Sequence, residues 1–102
     1  MRQYDILKNP FARAAERPYF VVLQSNPTDE TRTVVVAPLV PLSMVRTPNR
    51  LHPRIDVGKH SFALATHELG AAPRSAFGKA VGSAADANDT IKLALDLLLY
   101  GV

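Results

Sequence analysis

Histidine and acidic side chains are the first residues in this chain that suggest chemistry. The three histidines are His52, His60 and His67, and Glu68 directly follows the last of them. None is four residues from another and no His-Glu-x-x-His pattern is present, so the spacing does not favour a metal site. His67 and Glu68 would point to opposite sides of a strand, which does not favour an acid–base pair. We therefore predict ordinary surface or half-buried histidines, with no metal and no cofactor.

Other catalytic patterns are incomplete. Gly78-Lys79 and Gly82-Ser83 do not follow the residue order of a phosphate-binding loop. A Ser, His and Asp set cannot be assigned from spacing, because such residues meet only in the folded chain. The absence of cysteine excludes a disulfide, a thiol nucleophile and a thiolate metal site.

Basic residues outnumber acidic ones. Twelve Lys and Arg oppose nine Asp and Glu, which gives a formal net charge of +3. Six basic or histidine side chains lie in one stretch that contains a single acid, Asp56; they are Arg46, Arg50, His52, Arg54, Lys59 and His60. Such a stretch suits an acidic peptide, RNA or DNA, although a solvated basic face is its commoner meaning.

The clearest pattern lies at the end of the sequence. Asp86 or Ser83 can cap a helix that residues 91–100 continue, and Gly101 is placed to end it. One side of this helix is apolar and is expected to pack on the sheet, with Leu93 and Leu97 at its border; its members are Ile91, Ala94, Leu95 and Leu98. The pattern predicts a helix of about fifteen residues, roughly 22 Å long.

The polar side of the helix breaks down at its end. Asn88, Lys92 and Asp96 form a stripe at four-residue spacing, but Leu99 and Tyr100 follow where solvent is expected. These apolar residues can fold back on the core or lie in a dimer interface. Alternatively, they form a tip that binds a partner, with an aromatic anchor beside a flexible glycine.

The preceding sequence has the composition of a small β-structure. Five segments resemble strands, at residues 2–8, 19–24, 32–39, 54–57 and 60–65. Gly58-Lys59 suits a type II′ turn between the last two. Prolines make long regular structure unlikely between residues 38 and 53, and residues 66–82 receive no assignment. We predict an α+β, mainly β fold: a small antiparallel SH3-like barrel or sheet with a C-terminal α-helix.

Length and composition limit the classes of protein that remain. The chain has 102 residues, of which 47% are hydrophobic and 21% charged, as expected for one globular domain over residues 1–102. No apolar run is long enough to span a bilayer, and the first residues lack the apolar core of a secretory signal. We therefore expect a cytoplasmic protein.

Taken together, these segments resemble the CcdB toxins of bacterial toxin–antitoxin modules. Met1-Arg2-Gln3-Tyr4 and Phe20-Val21-Val22-Leu23-Gln24-Ser25 are similar to the first two strands of that family. Leu51-His52-Pro53 and Ile55-Asp56-Val57-Gly58 are similar to its hairpin region. Asn88-Asp89-Thr90-Ile91-Lys92, which continues to Tyr100-Gly101-Val102, resembles its terminal helix and Trp-Gly-Ile ending.

This resemblance implies a homodimeric toxin that is not itself an enzyme. Its C-terminal tips would bind the A subunit of DNA gyrase and trap cleaved DNA, with Tyr100, Gly101 and Val102 facing gyrase. Leu97 and Tyr100 would lie in the dimer interface. A disordered acidic segment of the cognate antitoxin would cover the same region, and operator DNA would be bound only by the toxin–antitoxin complex. The implied antitoxin contacts are Gln3, Tyr4, Ser25, Asp96 and Leu99.

The ending departs from the family pattern, since Tyr100 replaces the Trp, Leu99 the preceding Phe and Val102 the Ile. Two alternatives to a gyrase poison therefore stay open. One is an RNA-cleaving toxin on the related fold, for which suitable side chains are Arg32, Arg46, Arg50, Arg54 and His52. The other is a non-toxic relative that only binds antitoxin.

Overall fold

The computed structural model describes residues 1–28, 30–46 and 49–102. This part of the chain forms antiparallel strands, short 3₁₀ turns and one α-helix. The strands are β1 (Asp5–Lys8), β2 (Tyr19–Val22), β3 (Thr33–Pro41), β4 (Arg54–Val57), β5 (His60–Leu64), β6 (Gly70–Pro73) and β7 (Gly82–Ser83). The helix is α1 (Asn88–Tyr100), and the 3₁₀ turns are Asn26–Thr28, Leu42–Met44, Thr66–Glu68, Arg74–Ala76 and Ala85–Ala87.

The strands form one antiparallel sheet in the order β4-β5-β3-β2-β1-β7. The long strand β3 pairs with β2 on one side, and on the other it pairs first with β6 and then with β5. Strand β3 thus pairs with three other strands, and the sheet curls into a nearly closed barrel-like shape. The predicted class is confirmed: an α+β, mainly β fold with one C-terminal helix.

Strand β3 passes through Pro38, where the sequence predicted an end of regular structure. Pro38 lies between the part of β3 that pairs with β6 and the part that pairs with β5. Its carbonyl accepts a hydrogen bond from the Ala65 amide on that side, at 2.9 Å. In an antiparallel strand the N–H and the carbonyl of one residue point to the same side, so the nitrogen of Pro38 points away from β2. The missing N–H of the proline therefore removes no hydrogen bond between β3 and β2.

Two turns follow from backbone preferences. Gly58 has a φ of +59° between β4 and β5, and Lys59 has no positive φ, as the predicted type II′ turn requires. Strand β1 begins only at Asp5 rather than at residue 2, because Tyr4 adopts a φ of +70°. This left-handed conformation interrupts the extended backbone before the first strand.

Helix α1 packs on one face of the sheet through Ile91 and Ala94, which are both fully buried. The core around Ile91 contains side chains from five strands, from the residues that flank β1 and β2, and from the segment before α1; they are Tyr4, Ile6, Val21, Leu23, Ala37, Leu39, Ile55, Leu64 and Ala84. The opposite face of the sheet has a smaller cluster of Leu7, Val22, Val34, Val36 and Ala72. Among the described residues no helix is long and apolar enough to cross a membrane.

The start of α1 differs from the prediction. The helix has 13 residues, about 20 Å in length, and follows Ala87 without a side-chain cap. The Ser83 hydroxyl instead accepts a hydrogen bond from the Ala85 amide at 3.1 Å, and so begins the preceding 3₁₀ turn. The predicted end is confirmed: Gly101 has a φ of +74° and its amide donates to the Leu97 carbonyl at 3.0 Å.

Candidate functional site

The end of α1 forms an exposed apolar tip, which consists of Leu99, Tyr100, Gly101 and Val102. The exposed fractions of Leu99, Tyr100 and Val102 are 59%, 74% and 73%. Burial of Ile91 and Ala94 fixes the opposite side of the helix to the sheet, so these side chains cannot reach the core. Tyr100 is therefore presented to solvent at the end of a rigid element.

A loop from the middle of the chain holds the last residue of the tip. Arg50 donates a hydrogen bond from Nη2 to the backbone oxygen of Val102, at 3.2 Å. This loop is itself ordered by Asn49, whose Oδ1 accepts from the Leu51 amide at 2.8 Å. The Pro53 carbonyl accepts from the Leu64 amide at 2.8 Å, which joins the loop to β5. The position of Val102 thus depends on side chains some fifty residues away.

A groove of about 520 Å³ separates this loop from α1. Its lining combines three apolar side chains, two guanidinium groups, one imidazole and two smaller polar side chains. They are Leu42, Pro53 and Leu93; Arg50 and Arg54; His52; and Asn49 and Thr90. Leu93, which the sequence placed at the border of the core, is 49% exposed and forms part of the α1 wall.

Two of the histidines are in contact. His52 Nε2 lies 3.0 Å from His67 Nδ1, and the two rings are nearly perpendicular with centroids 5.0 Å apart. Nδ1 of His52 is buried without a hydrogen-bond partner among the described residues. Burial lowers the pKa of His52, and the nearby His67 charge adds to that effect, while the charge of Glu68 opposes it. The neutral form of His52 is therefore favoured in this contact.

Glu68 extends this contact to Arg17. His67 Nε2 lies 3.7 Å from Glu68 Oε2, because both residues belong to a 3₁₀ turn rather than a strand. Arg17 donates to both carboxylate oxygens of Glu68, at 2.8 and 2.9 Å. These hydrogen bonds lower the pKa of Glu68 and raise that of Arg17. His60 lies apart, exposed in β5, and the described residues contain no group of three possible metal ligands.

The proposed antitoxin contacts occupy two regions. Gln3 lies beside the turn that contains Ser25, since its amide donates to Asn26 Oδ1 at 2.7 Å. Its side chain donates to the Leu23 carbonyl at 2.9 Å. Tyr4 is only 8% exposed, and its hydroxyl donates to Asn88 Oδ1. Burial and the charge of Asp89 raise the pKa of this tyrosine.

The other two antitoxin candidates, Asp96 and Leu99, are exposed on α1. Leu99 lies about 16 Å along the helix axis from Asn88, the helical residue that contacts Tyr4. Leu97, predicted in the dimer interface together with Tyr100, is half-buried. Of the basic residues considered for RNA, Arg50, Arg54 and His52 meet in the groove, whereas Arg32 and Arg46 do not line it.

Comparison with known proteins assigns the family. A family model described as "CcdB protein" matches residues 3–101. The chain belongs to the CcdB family. Among curated proteins, the comparison finds no sequence relative. The resemblance inferred from the sequence is therefore confirmed on the family model.

A solved structure shares the fold of this CcdB-family chain. It is an endoribonuclease in complex with its cognate antitoxin, from mycobacterial species. The TM-score is 0.79, with 13% sequence identity, and the match covers 97% of this chain and 94% of that one. At this identity the similarity concerns the fold. The shared fold and the family assignment together support the interpretation of this chain as a type II toxin.

One expectation requires correction. The sequence led us to expect a CcdB-like protein that is not itself an enzyme. That expectation is wrong, because it was drawn from family and fold, and an endoribonuclease has the same fold over nearly the whole chain. The fold is compatible with catalysis, so the activity must be argued from side chains.

Proposed function

We propose that this CcdB-family protein is a toxin that binds the A subunit of DNA gyrase through its tip and traps the cleaved-DNA complex. The observation that carries the proposal is the 74% exposure of Tyr100 at the end of a helix fixed to the core by Ile91. A large aromatic side chain held in solvent has no role in folding and is a typical anchor of a protein interface.

Three residues of the tip have separate roles in this proposal. Tyr100 stacks on a guanidinium of gyrase, with a cation–π contribution of about 0.5–2 kcal/mol. Gly101, whose φ is +74°, lets the chain turn sharply and allows close approach of the partner. Val102 adds an apolar contact and is held by Arg50 at 3.2 Å.

The active form in this proposal is a homodimer with paired tips. Leu97 and Tyr100 lie on neighbouring turns of α1 and would meet the same residues across the two-fold axis. The exposed end of α1 supports this arrangement, because Tyr100, 74% exposed, leaves an aromatic surface without a partner in the monomer. Two tips would then enter the dimeric gyrase A subunit together.

A cognate antitoxin neutralises the toxin in this scheme. Exposed candidate contacts are Ser25, Asp96 and Leu99, while the buried Tyr4 would contribute through its bond to Asn88. Gln3 would act beside Ser25. The toxin would bind operator DNA only within the toxin–antitoxin complex, and it would act in the cytoplasm without a membrane partner or a cofactor.

Deletion of residues 100–102 tests the role of the tip. The truncated chain should keep its fold and most of its antitoxin affinity, because these residues are exposed and lie outside the core. It should no longer cause gyrase to accumulate cleaved DNA. If the truncated chain still traps cleaved DNA, the proposed gyrase site is wrong.

RNA cleavage is a second candidate function. It is supported by the groove that brings Arg50, Arg54 and His52 together, and by the solved endoribonuclease that shares the fold. Guanidinium groups can hold a phosphate, and an imidazole can transfer the proton of a ribose hydroxyl. Incubation with single-stranded RNA tests it: cleavage that His52→Ala abolishes and Tyr100→Ala retains would favour the nuclease over the gyrase poison.

A further inference from the structure

The contact between His52 and His67 has room for one hydrogen. The facing nitrogens, Nε2 of His52 and Nδ1 of His67, lie 3.0 Å apart. At this distance one nitrogen donates an N–H and the other accepts it with a lone pair. The Glu68 carboxylate lies 3.7 Å from the other nitrogen of His67, Nε2, and favours a hydrogen on that atom. These contacts assign His67 Nδ1 as the acceptor and His52 Nε2 as the donor.

Neither ring can take up a further proton while this contact persists. On His52 the vacant position is Nδ1, which is buried and has no hydrogen-bond partner among the residues that the structure describes. A charged N–H would be left unpaired there. On His67 the vacant position is Nδ1, which already accepts from His52. A proton on that atom either places two hydrogens in a gap of 3.0 Å or drives the shared hydrogen to the buried Nδ1 of His52. Acid therefore favours separation of the two rings.

The charged groups around the pair act in both directions. Glu68 favours a protonated ring, but Arg17 donates to both of its carboxylate oxygens, at 2.8 and 2.9 Å. Arg50 and Arg54 line the groove together with His52 and oppose a further positive charge. The wall that α1 contributes to this groove has no titratable side chain among the described residues. Burial and the neighbouring imidazole lower the pKa of His52, in agreement with these contacts.

His52 belongs to the same tight turn as Arg50. The His52 amide donates to the Asn49 carbonyl at 3.2 Å, which closes the turn around Arg50. Arg50 in turn donates to the backbone oxygen of Val102, at 3.2 Å. Because His67 lies in the 3₁₀ turn Thr66–Glu68, the histidine contact connects that turn to the turn that holds the tip. The position of Arg50 therefore depends on the protonation of a side chain two residues away.

We propose that the contact between His52 and His67 is an acid-sensitive latch that orders the tip at neutral pH and releases it in acid. At neutral pH the shared hydrogen holds His52 against His67, and the turn keeps Arg50 on Val102. When the pair gains a proton, His52 moves away from His67, the turn shifts, and the hydrogen bond from Arg50 to Val102 is lost. A partner that binds the tip must then order it again, at a cost in entropy. The effect on gyrase rests on the proposed function, whereas the change in order concerns this chain alone.

Nuclear magnetic resonance of the ¹⁵N-labelled chain tests the order of the tip directly. The steady-state ¹H–¹⁵N nuclear Overhauser effect of the Val102 amide should fall to about half between about pH 7 and about pH 5. The Ile91 amide should keep its value, because the buried Ile91 holds α1 on the sheet; this distinguishes release of the tip from unfolding. The midpoint should coincide with the titration of the His52 and His67 rings. An unchanged Val102 value, or a midpoint in the range of the carboxyl groups, would overturn the proposal.

Three variants assign the response to the latch. His67→Gln keeps an uncharged oxygen that can accept from His52 Nε2, so Val102 should stay ordered at both pH values. His60→Gln is the matched control and should keep the full response, because His60 is exposed and lies outside the contact. Arg50→Ala should leave Val102 mobile at both pH values. Circular dichroism shows whether each variant is folded. A full response in His67→Gln, or an ordered Val102 in Arg50→Ala, would overturn the latch.

Affinity for the purified gyrase A subunit connects the latch to the proposed function. The affinity should fall several-fold between neutral pH and about pH 5 for the unchanged chain, and less for His67→Gln. Comparison of the two chains at each pH removes the effect of acid on gyrase itself. Equal losses in both chains would overturn the effect of the latch on gyrase binding. If the unchanged chain binds no gyrase at either pH, the proposed function fails, while the Val102 measurement still decides the latch.

Discussion

Arg50 donates a hydrogen bond from Nη2 to the backbone oxygen of Val102, at 3.2 Å and across 52 residues of sequence. This contact joins the loop before β4 to the residue that follows the helix C-cap at Gly101. It limits the positions that Val102 can take, and so it orders the exposed tip before any partner binds. Such ordering reduces the entropy that binding must overcome.

Replacement of Arg50 by alanine should weaken the tip without unfolding the protein. Arg50 is exposed, so the free energy of unfolding should change by less than about 0.5 kcal/mol in urea denaturation. Several times more Arg50→Ala protein should be needed to cause gyrase to accumulate cleaved DNA. Lys59→Ala, also an exposed charge, should leave both measurements unchanged. Equal potency of Arg50→Ala and the unchanged chain would show that the contact does not order the tip.

Stability should fall as the pH decreases below about 6.5, because the folded protein holds His52 with a lowered pKa. The unfolded chain then binds a proton that the folded chain resists, until the pH passes below the folded pKa. A second loss should follow below about 4.5, where the unfolded chain protonates Glu68 before the folded chain does.

Urea denaturation of His52→Gln at several pH values tests the first of these losses. The decrease between pH 6.5 and 5 should become smaller in this variant, while His60→Gln should keep the original pH dependence, because His60 is exposed and lies outside the histidine contact. An unchanged pH dependence in His52→Gln would assign the loss to another group.

Tyr4→Phe should lower the free energy of unfolding by about 0.5–1.5 kcal/mol. The variant removes the buried hydroxyl that donates to Asn88 Oδ1 at the start of α1. Tyr19→Phe is the control, since the Tyr19 ring packs against Phe62 and its hydroxyl has no hydrogen bond among the described residues. If Tyr4→Phe is as stable as the unchanged chain but binds antitoxin less tightly, Tyr4 acts mainly in partner contact.

Local backbone preferences explain which parts of the fold were predictable from the sequence. The turn at Gly58 and the helix end at Gly101 both require positive φ, which glycine adopts without strain. Strand β6 was not predicted, because Gly70, Ala71 and Ala72 have no hydrophobic alternation. It is extended because it pairs with β3, where Ala71 lies opposite Val35. These residues are far apart in the sequence, so the pairing could not be predicted from local pattern. The seven strands in the described part of the chain therefore exceed the five predicted.

The candidate site was predictable only where it follows a helix pattern. The exposed Tyr100 could be found because it breaks the polar stripe that ends at Asp96. The groove could not, since its walls come from a loop and a helix about forty residues apart. His52 and His67 meet because His67 lies in the 3₁₀ turn Thr66–Glu68, a segment that received no assignment from the sequence.

A gyrase cleavage assay with plasmid DNA and ATP, stopped with detergent, tests the central claim most directly. The unchanged protein should cause linear DNA to accumulate, and Tyr100→Ala should require at least ten times more protein for the same amount. Val81→Ala, a change at a side chain that is 45% exposed outside the tip, should act as the unchanged protein does. No linear DNA with a functional gyrase from the same source, or full potency in Tyr100→Ala, would contradict the proposed function.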